Sequence, residues 1–292
     1  MARPPRIHVS GALFHIIARG NGGQKTFLDE QDYQTFVDGL DELKRKTLFL
    51  VYAYCLMPNH FHLLIEIKQF PLSAIMQRLL TRYVKSFNFR HRRIGHLFQG
   101  RYKAILCQKE PYLQELLRYI HLNPVRAKLA KDALAWKWSS HREYMGSVKR
   151  DLTDKGFPLS LFHKELSTSR KLFTQFVNDG IEMGHKAEFY ASPSTPCLGE
   201  DSFVDDYRER LTKRKSAEAG AAKLIPLERL AREATASLPF EMLRSPTQSR
   251  KVTAARQEFV IKAVKMGHRP SVLAAFLRCS ASAISKIVAR SL

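Results

Sequence analysis

Residues 47–67 read TLFLVYAYCLMPNHFHLLIEI. Two runs rich in β-branched, aromatic and aliphatic residues meet at Pro58-Asn59, a pair that turns a chain, so the stretch predicts two strands joined as a hairpin. The flanking segments supply its neighbours. From Arg6 to Arg19 the apolar run HVSGALFHIIAR predicts a strand, and GNGG after it a flexible turn. Asp29 caps a helix that carries Tyr33, Phe36, Val37, Leu40 and Leu43 on one face. After the hairpin, Leu72, Ile75, Met76, Leu79, Tyr83 and Phe87 keep helical spacing in a helix from about Leu72 to Arg93. HLFQGRYKAILC is a further strand. Pro111 then opens the helix of YLQELLRYIHLN, which ends at Asn123 because Pro124 disfavours helical geometry in the residue before it. The order strand, helix, strand, strand, helix, strand, helix is the split βαβ, ferredoxin-like plan. It is an α+β fold with an antiparallel sheet and helices on one face.

Beyond Trp136 and Trp138 the pattern becomes polar and irregular. Residues 1–146 therefore read as one domain, and 147–235 as a connecting region without a catalytic cluster. In 236–292, a helix from Arg250 to Met266, a break at Gly267 to Pro270, and SVLAAFL joined by RCS to SASAISKIVARSL describe a helix-turn-helix.

Forty-eight Lys and Arg against 27 Asp and Glu give a net charge of +21. Such an excess binds polyanions by releasing their counterions, so nucleic acid is the expected partner. No apolar run reaches the roughly 18 residues of a membrane span. The basic start MARPPRIHVS lacks the core of a signal peptide, and four scattered cysteines form no CxxC pair. These features predict a cytoplasmic, nucleoid-associated protein with reduced thiols.

In a strand, residues two apart share a face, so His60 and His62 point the same way. Two neutral imidazoles make half of a metal site, although such a pair is more often coincidence. On the last helix of the first domain, Tyr119 and Asn123 lie one turn apart on a flank beside the apolar face. If that flank meets the histidines, Asn123 adds an oxygen ligand and the phenol stands over the same ion. Tyr112, on the same flank, is a rival to Tyr119. Glu66 shares the histidine face and either orients an imidazole or is an exposed acidic strand end.

The motifs MPNHFHLL, FQGRYKAILC and YIHLNPVRA resemble those of the single-tyrosine HUH transposases, and most of all the REP-associated tyrosine transposases. The resemblance spans about Ile7 to Tyr144. It implies His60, His62 and Asn123 as metal ligands and Tyr119 as the nucleophile. The tail is similar to the DNA-binding domain of chromosomal replication initiators. The implied activity is cleavage and rejoining of single-stranded DNA at repeat hairpins through a 5′-phosphotyrosine, aided by Mg²⁺ or Mn²⁺. The contrasting reading is a non-catalytic, sequence-specific DNA-binding regulator; a third is a hydrolase that forms no covalent intermediate. Monomer and homodimer both stay open. Arg90, Arg92, Arg93, Arg101 and Lys103 are expected to track phosphates, and Arg19 and Asn21 to approach bases. Ser282, Ser285 and Lys286 open the helix expected to enter a major groove.

Overall fold

The computed structural model describes residues 9–148, 151–182, 197–221, 226–234, 239–245, 247, 249–268 and 270–289. Residues 6–8 of the first predicted strand, residues 191–196 of ASPSTPCLGE, and Arg269 at the predicted helix break lie outside them. The chain divides into two compact units, Met1–Glu209 and Arg210–Leu292.

In the first unit the chain forms β1 (Leu13–Arg19), α1 (Glu30–Thr47), β2 (Leu50–Met57), β3 (His60–Glu66), α2 (Leu72–Arg90), β4 (Lys103–Cys107) and α3 (Lys109–His121). The Asp29 side chain caps α1 by accepting from the Asp32 N–H at 3.0 Å. A four-residue α4 (Asn123–Arg126) follows α3 directly. Pro124 does not end the helical path there. It occupies a first turn, where its missing N–H costs nothing.

The sheet runs β2-β3-β1-β4-β5, and its first four strands are antiparallel. The fifth, β5 (Cys197–Leu198), is parallel to β4, a departure from the wholly antiparallel sheet expected. It covers backbone groups that an edge strand would leave open. At the opposite edge Asp154 does the same for β2: its N–H donates to the Val51 carbonyl at 2.7 Å, and its carboxylate accepts from the Val51 N–H at 2.8 Å.

Helices cover both faces of the sheet rather than one. Phe14, Ile16, Phe61, Leu63 and Ile65 pack with Phe36, Leu40, Met76 and Leu79 of α1 and α2. Leu13, Ile17 and Leu64 pack with Leu113, Leu116, Leu117 and Ile120 of α3. Strands buried on both sides read as near-continuous apolar runs, and this is why LVYAYCLM shows so little alternation.

The second face is completed by α5 (His141–Tyr144), α6 (Gly156–Ser160) and α7 (Leu166–Asp179). Leu159, Phe173 and Val177, from the segment read as a connecting region, are fully buried there. The boundary between units falls within α8 (Asp201–Ala221).

The second unit holds α9 (Leu227–Ala234), α10 (Arg250–Lys265), α11 (Pro270–Leu277) and α12 (Ala281–Ala289) around Leu230, Phe259, Val260, Leu273, Leu277 and Ile284. The axes of α11 and α12 turn by 119°. No single described helix is long and apolar enough to cross a membrane.

Candidate active site

The tip of the β2–β3 hairpin is held from the side by the loop that leaves β1. Gly20 N–H donates to the Asn59 carbonyl at 2.8 Å, and the Thr26 and Phe27 N–H groups to the Pro58 carbonyl at 2.7 and 3.1 Å. Gly20 is required here, because a Cβ would meet the Gln24 carbonyl oxygen at 2.1 Å. The next residue after this tip is His60. It borders a cleft of about 610 Å³ whose walls include Arg19, Asn59, Arg101 and Lys103. Two of the cations expected to track phosphates, Arg101 and Lys103, thus converge with Arg19, expected to approach bases, beside the first imidazole.

His60 and His62 project from the same side of β3, with ring centroids 5.1 Å apart. His60 Nδ1 lies 2.7 Å from Asn59 Oδ1, which places its proton on Nδ1 and its lone pair on Nε2. Burial, with the Arg19 charge nearby, pushes the His60 imidazole down to about 4. It is therefore neutral, as a ligand must be, across the physiological range. His62 is fully buried, and its Nδ1 lies 2.9 Å from Nε2 of His15 on β1. A His62 Nδ1–H donating to His15 would leave the His62 lone pair on Nε2. This is the usual arrangement in which a partner group orients a metal-binding imidazole.

Tyr119 of α3 reaches this pair. Its ring is 1% exposed and stands edge-on to His62 and His15, with centroids 6.1 and 6.0 Å away. Tyr112, two turns earlier, is half-buried against the apolar cluster under α3. Asn123 is buried, and its Nδ2 donates to the Tyr119 carbonyl at 2.9 Å, leaving Oδ1 as the atom suited to a cation. Two imidazoles and an amide oxygen are donors of the kinds that a divalent ion with open positions accepts.

Two residues were missed in the sequence. His15 shares a strand face with Ile17, but its meeting with His62 depends on the β1–β3 register, which pairs Ile17 with His62. Arg126 carried little signal. Its guanidinium lies 5.1 Å over the Tyr119 ring, and Nη1 donates to the Tyr119 carbonyl at 3.0 Å. The pair of contacts clamps the tyrosine from two turns further along the chain. Charged hydrogen bonds are worth about 1.5–3 kcal/mol. Arg126→Ala is accordingly expected to slow the Tyr119 chemistry roughly tenfold or more. Arg126→Lys, which keeps a charge without the planar fork, recovers part of the loss. Single-turnover rates of the two variants check this.

Other expectations are corrected. Arg90 does not face a phosphate path: it bridges Asp32 and Asp29, the latter at 2.9 Å. That pairing also fills the cluster of Asp29, Asp32 and His91, whose donor atoms are otherwise close enough for an ion. A guanidinium already neutralises both carboxylates, so we do not assign a metal there. Glu66 is neither an imidazole partner nor exposed. It is buried at the far end of β3, where it accepts from Tyr52, Lys68 and Lys109 at 2.8, 2.9 and 2.7 Å.

Asn21 and Arg92 are exposed, and Arg93 donates to Gln24 Oε1 at 2.7 Å. In the second unit Ser282, Ser285 and Lys286 are exposed on α12, and the Ser285 hydroxyl donates to the Ala281 carbonyl.

Residues 8–123 match the family described as Transposase IS200 like. This segment belongs to that family. A transposase role for this segment is in keeping with the cations along its cleft. A search of curated proteins gave no match. Among solved structures, one of a REP-associated tyrosine transposase bound to a REP hairpin is 17% identical, with a TM-score of 0.45, and covers 53% of this chain and 94% of that one.

Proposed function

We propose that the transposase domain cuts and rejoins single-stranded DNA at repeat hairpins, with Tyr119 as the nucleophile. The observation that carries this reading is the placement of the Tyr119 ring against His62, one turn before Asn123. In the forward step the phenol oxygen forms a bond to a backbone phosphorus and loses its proton to water. The P–O bond to the 3′-oxygen breaks, and that oxygen leaves as a hydroxyl. The 5′-phosphate stays on Tyr119. The phosphodiester bond is conserved, so an incoming 3′-hydroxyl reverses the step without ATP.

His60, His62 and Asn123 would hold Mg²⁺ or Mn²⁺. When bound, such an ion supplies Lewis-acid neutralisation of the non-bridging phosphate oxygens. Arg19, Arg101 and Lys103 draw the backbone into the cleft. Arg126 and the amide of Asn123 keep the tyrosine in place.

The second unit would bind duplex DNA. The 119° turn between α11 and α12 falls in the range of helix-turn-helix pairs. Ser282, Ser285 and Lys286 lie on the second of these helices, the one that meets bases in such motifs.

The test is incubation of the full chain with a labelled DNA hairpin carrying single-stranded flanks, with and without Mn²⁺. A protein–DNA adduct that survives denaturing electrophoresis and disappears with chelator is the expected result. Cleavage without adduct would replace the proposal with hydrolysis. Binding with neither would make the protein a DNA-binding regulator.

A further inference from the structure

The two most exposed large apolar side chains among the described residues are Ile94, at 99%, and Phe89, at 87%. They flank one tight loop at the end of α2. Arg93 N–H donates to the Asn88 carbonyl at 2.9 Å, and the Asn88 side chain donates to the Gly95 carbonyl at 3.1 Å. Arg92 between them is held at φ 49°, a left-handed conformation that an arginine rarely adopts. The loop is thus closed by hydrogen bonds while its two apolar residues stand in solvent. It is also tied to the cleft wall. Gln24 Nε2 donates to the Leu97 carbonyl at 2.9 Å, and Gln99 N–H to the Arg19 carbonyl at 2.9 Å.

The charge around the loop points to one occupant. Residues 67–109 hold ten Lys and Arg and no Asp or Glu. Asp29 and Asp32 approach from α1, but Arg90 and His91 occupy them. Arg82 is likewise paired with Glu42, and Lys68 and Lys109 with Glu66, while among the described residues Arg92 and Arg93 in the loop itself form no ion pair with a carboxylate. An exposed aromatic ring beside such cations suits an unstacked nucleobase, whose face stacks on the ring while its phosphate meets the cation.

We propose that Phe89, with Ile94 beside it, is a stacking platform for an unpaired base of DNA leading into the Arg19–Arg101–Lys103 cleft. The proposal rests on the single-strand reading given above and names the nucleotide class it takes: a base outside the duplex, read by its face and not by its edge.

The test is equilibrium binding by the full chain, in chelator so that no chemistry intervenes. The probes are a DNA hairpin with a single-stranded tail carrying 2-aminopurine and the same hairpin made blunt. Phe89→Ala should weaken binding of the tailed hairpin roughly 10- to 100-fold and abolish the quenching of 2-aminopurine. Affinity for the blunt hairpin should not change, and Phe89→Trp should retain both signals. Since Phe89 packs against little, the melting temperature of the Ala variant should match wild type.

Equal affinity of wild type and Phe89→Ala for the tailed probe would overturn the platform. So would equal losses on both probes, or a wild-type dimer that Phe89→Ala or Ile94→Ala splits, which would give the surface to a second copy of the chain. Adduct formation in Mn²⁺, scored in parallel, separates the two proposals. If Phe89-dependent quenching appears without any adduct, the platform stands and the tyrosine chemistry fails.

Discussion

Tyr119→Phe is expected to remove the covalent DNA adduct altogether, at least about 10³-fold below wild type, as loss of a covalent nucleophile does. Tyr112→Phe is expected to leave it intact. The two residues share a helix flank, yet only Tyr119 has been placed by packing against His15 and His62 and under the Arg126 guanidinium. Phenylalanine keeps the ring and those contacts and deletes only the attacking oxygen. The fold should therefore survive, and the hairpin should still bind. Denaturing electrophoresis of the labelled oligonucleotide reads the adduct, and a gel shift reads binding. An adduct that persists in Tyr119→Phe and vanishes in Tyr112→Phe would move the nucleophile two turns up the helix.

Phe173→Ala is expected to cost about 3–5 kcal/mol of stability, the range for emptying a buried aromatic site. Phe173 stacks on Tyr144 at 4.9 Å and on His141 at 5.7 Å, and meets His121 and Phe162 edge-on. It is fully buried although it lies well beyond the segment that matches the transposase family. If residues 147–179 were merely a tether, the substitution would cost well under about 1 kcal/mol. A urea titration of the full chain followed by near-ultraviolet circular dichroism distinguishes the outcomes. A large loss means that this transposase domain depends on a C-terminal extension to close its second face.

That extension was hard to read because its apolar residues come in short runs, FPLSLF and LFTQFV, separated by polar stretches. RKLFTQFVNDG offers Phe173 and Val177 at helical spacing, but nothing local says which surface they meet. The hairpin, the helix spacings and the four-residue step from Tyr119 to Asn123 are short-range patterns, and these were legible. The His15–His62 contact was not, because it joins residues 47 apart across two strands and no spacing encodes that diagonal. Arg90 misled for the same reason. Within its own segment it is one of a basic run, and its carboxylate partners stand 58 and 61 residues earlier in the chain.

The grip of the Gly20–Phe27 loop on the hairpin tip has a mechanical outcome. Three N–H groups of one loop are anchored on the two carbonyls that immediately precede His60. The strand end bearing Arg19 and the turn bearing His60 are consequently one stiff bracket. On the proposed reading, a strand that pulls on Arg19 would tug the His60 imidazole along with it, so seating the strand and aligning the ligand would become a single motion.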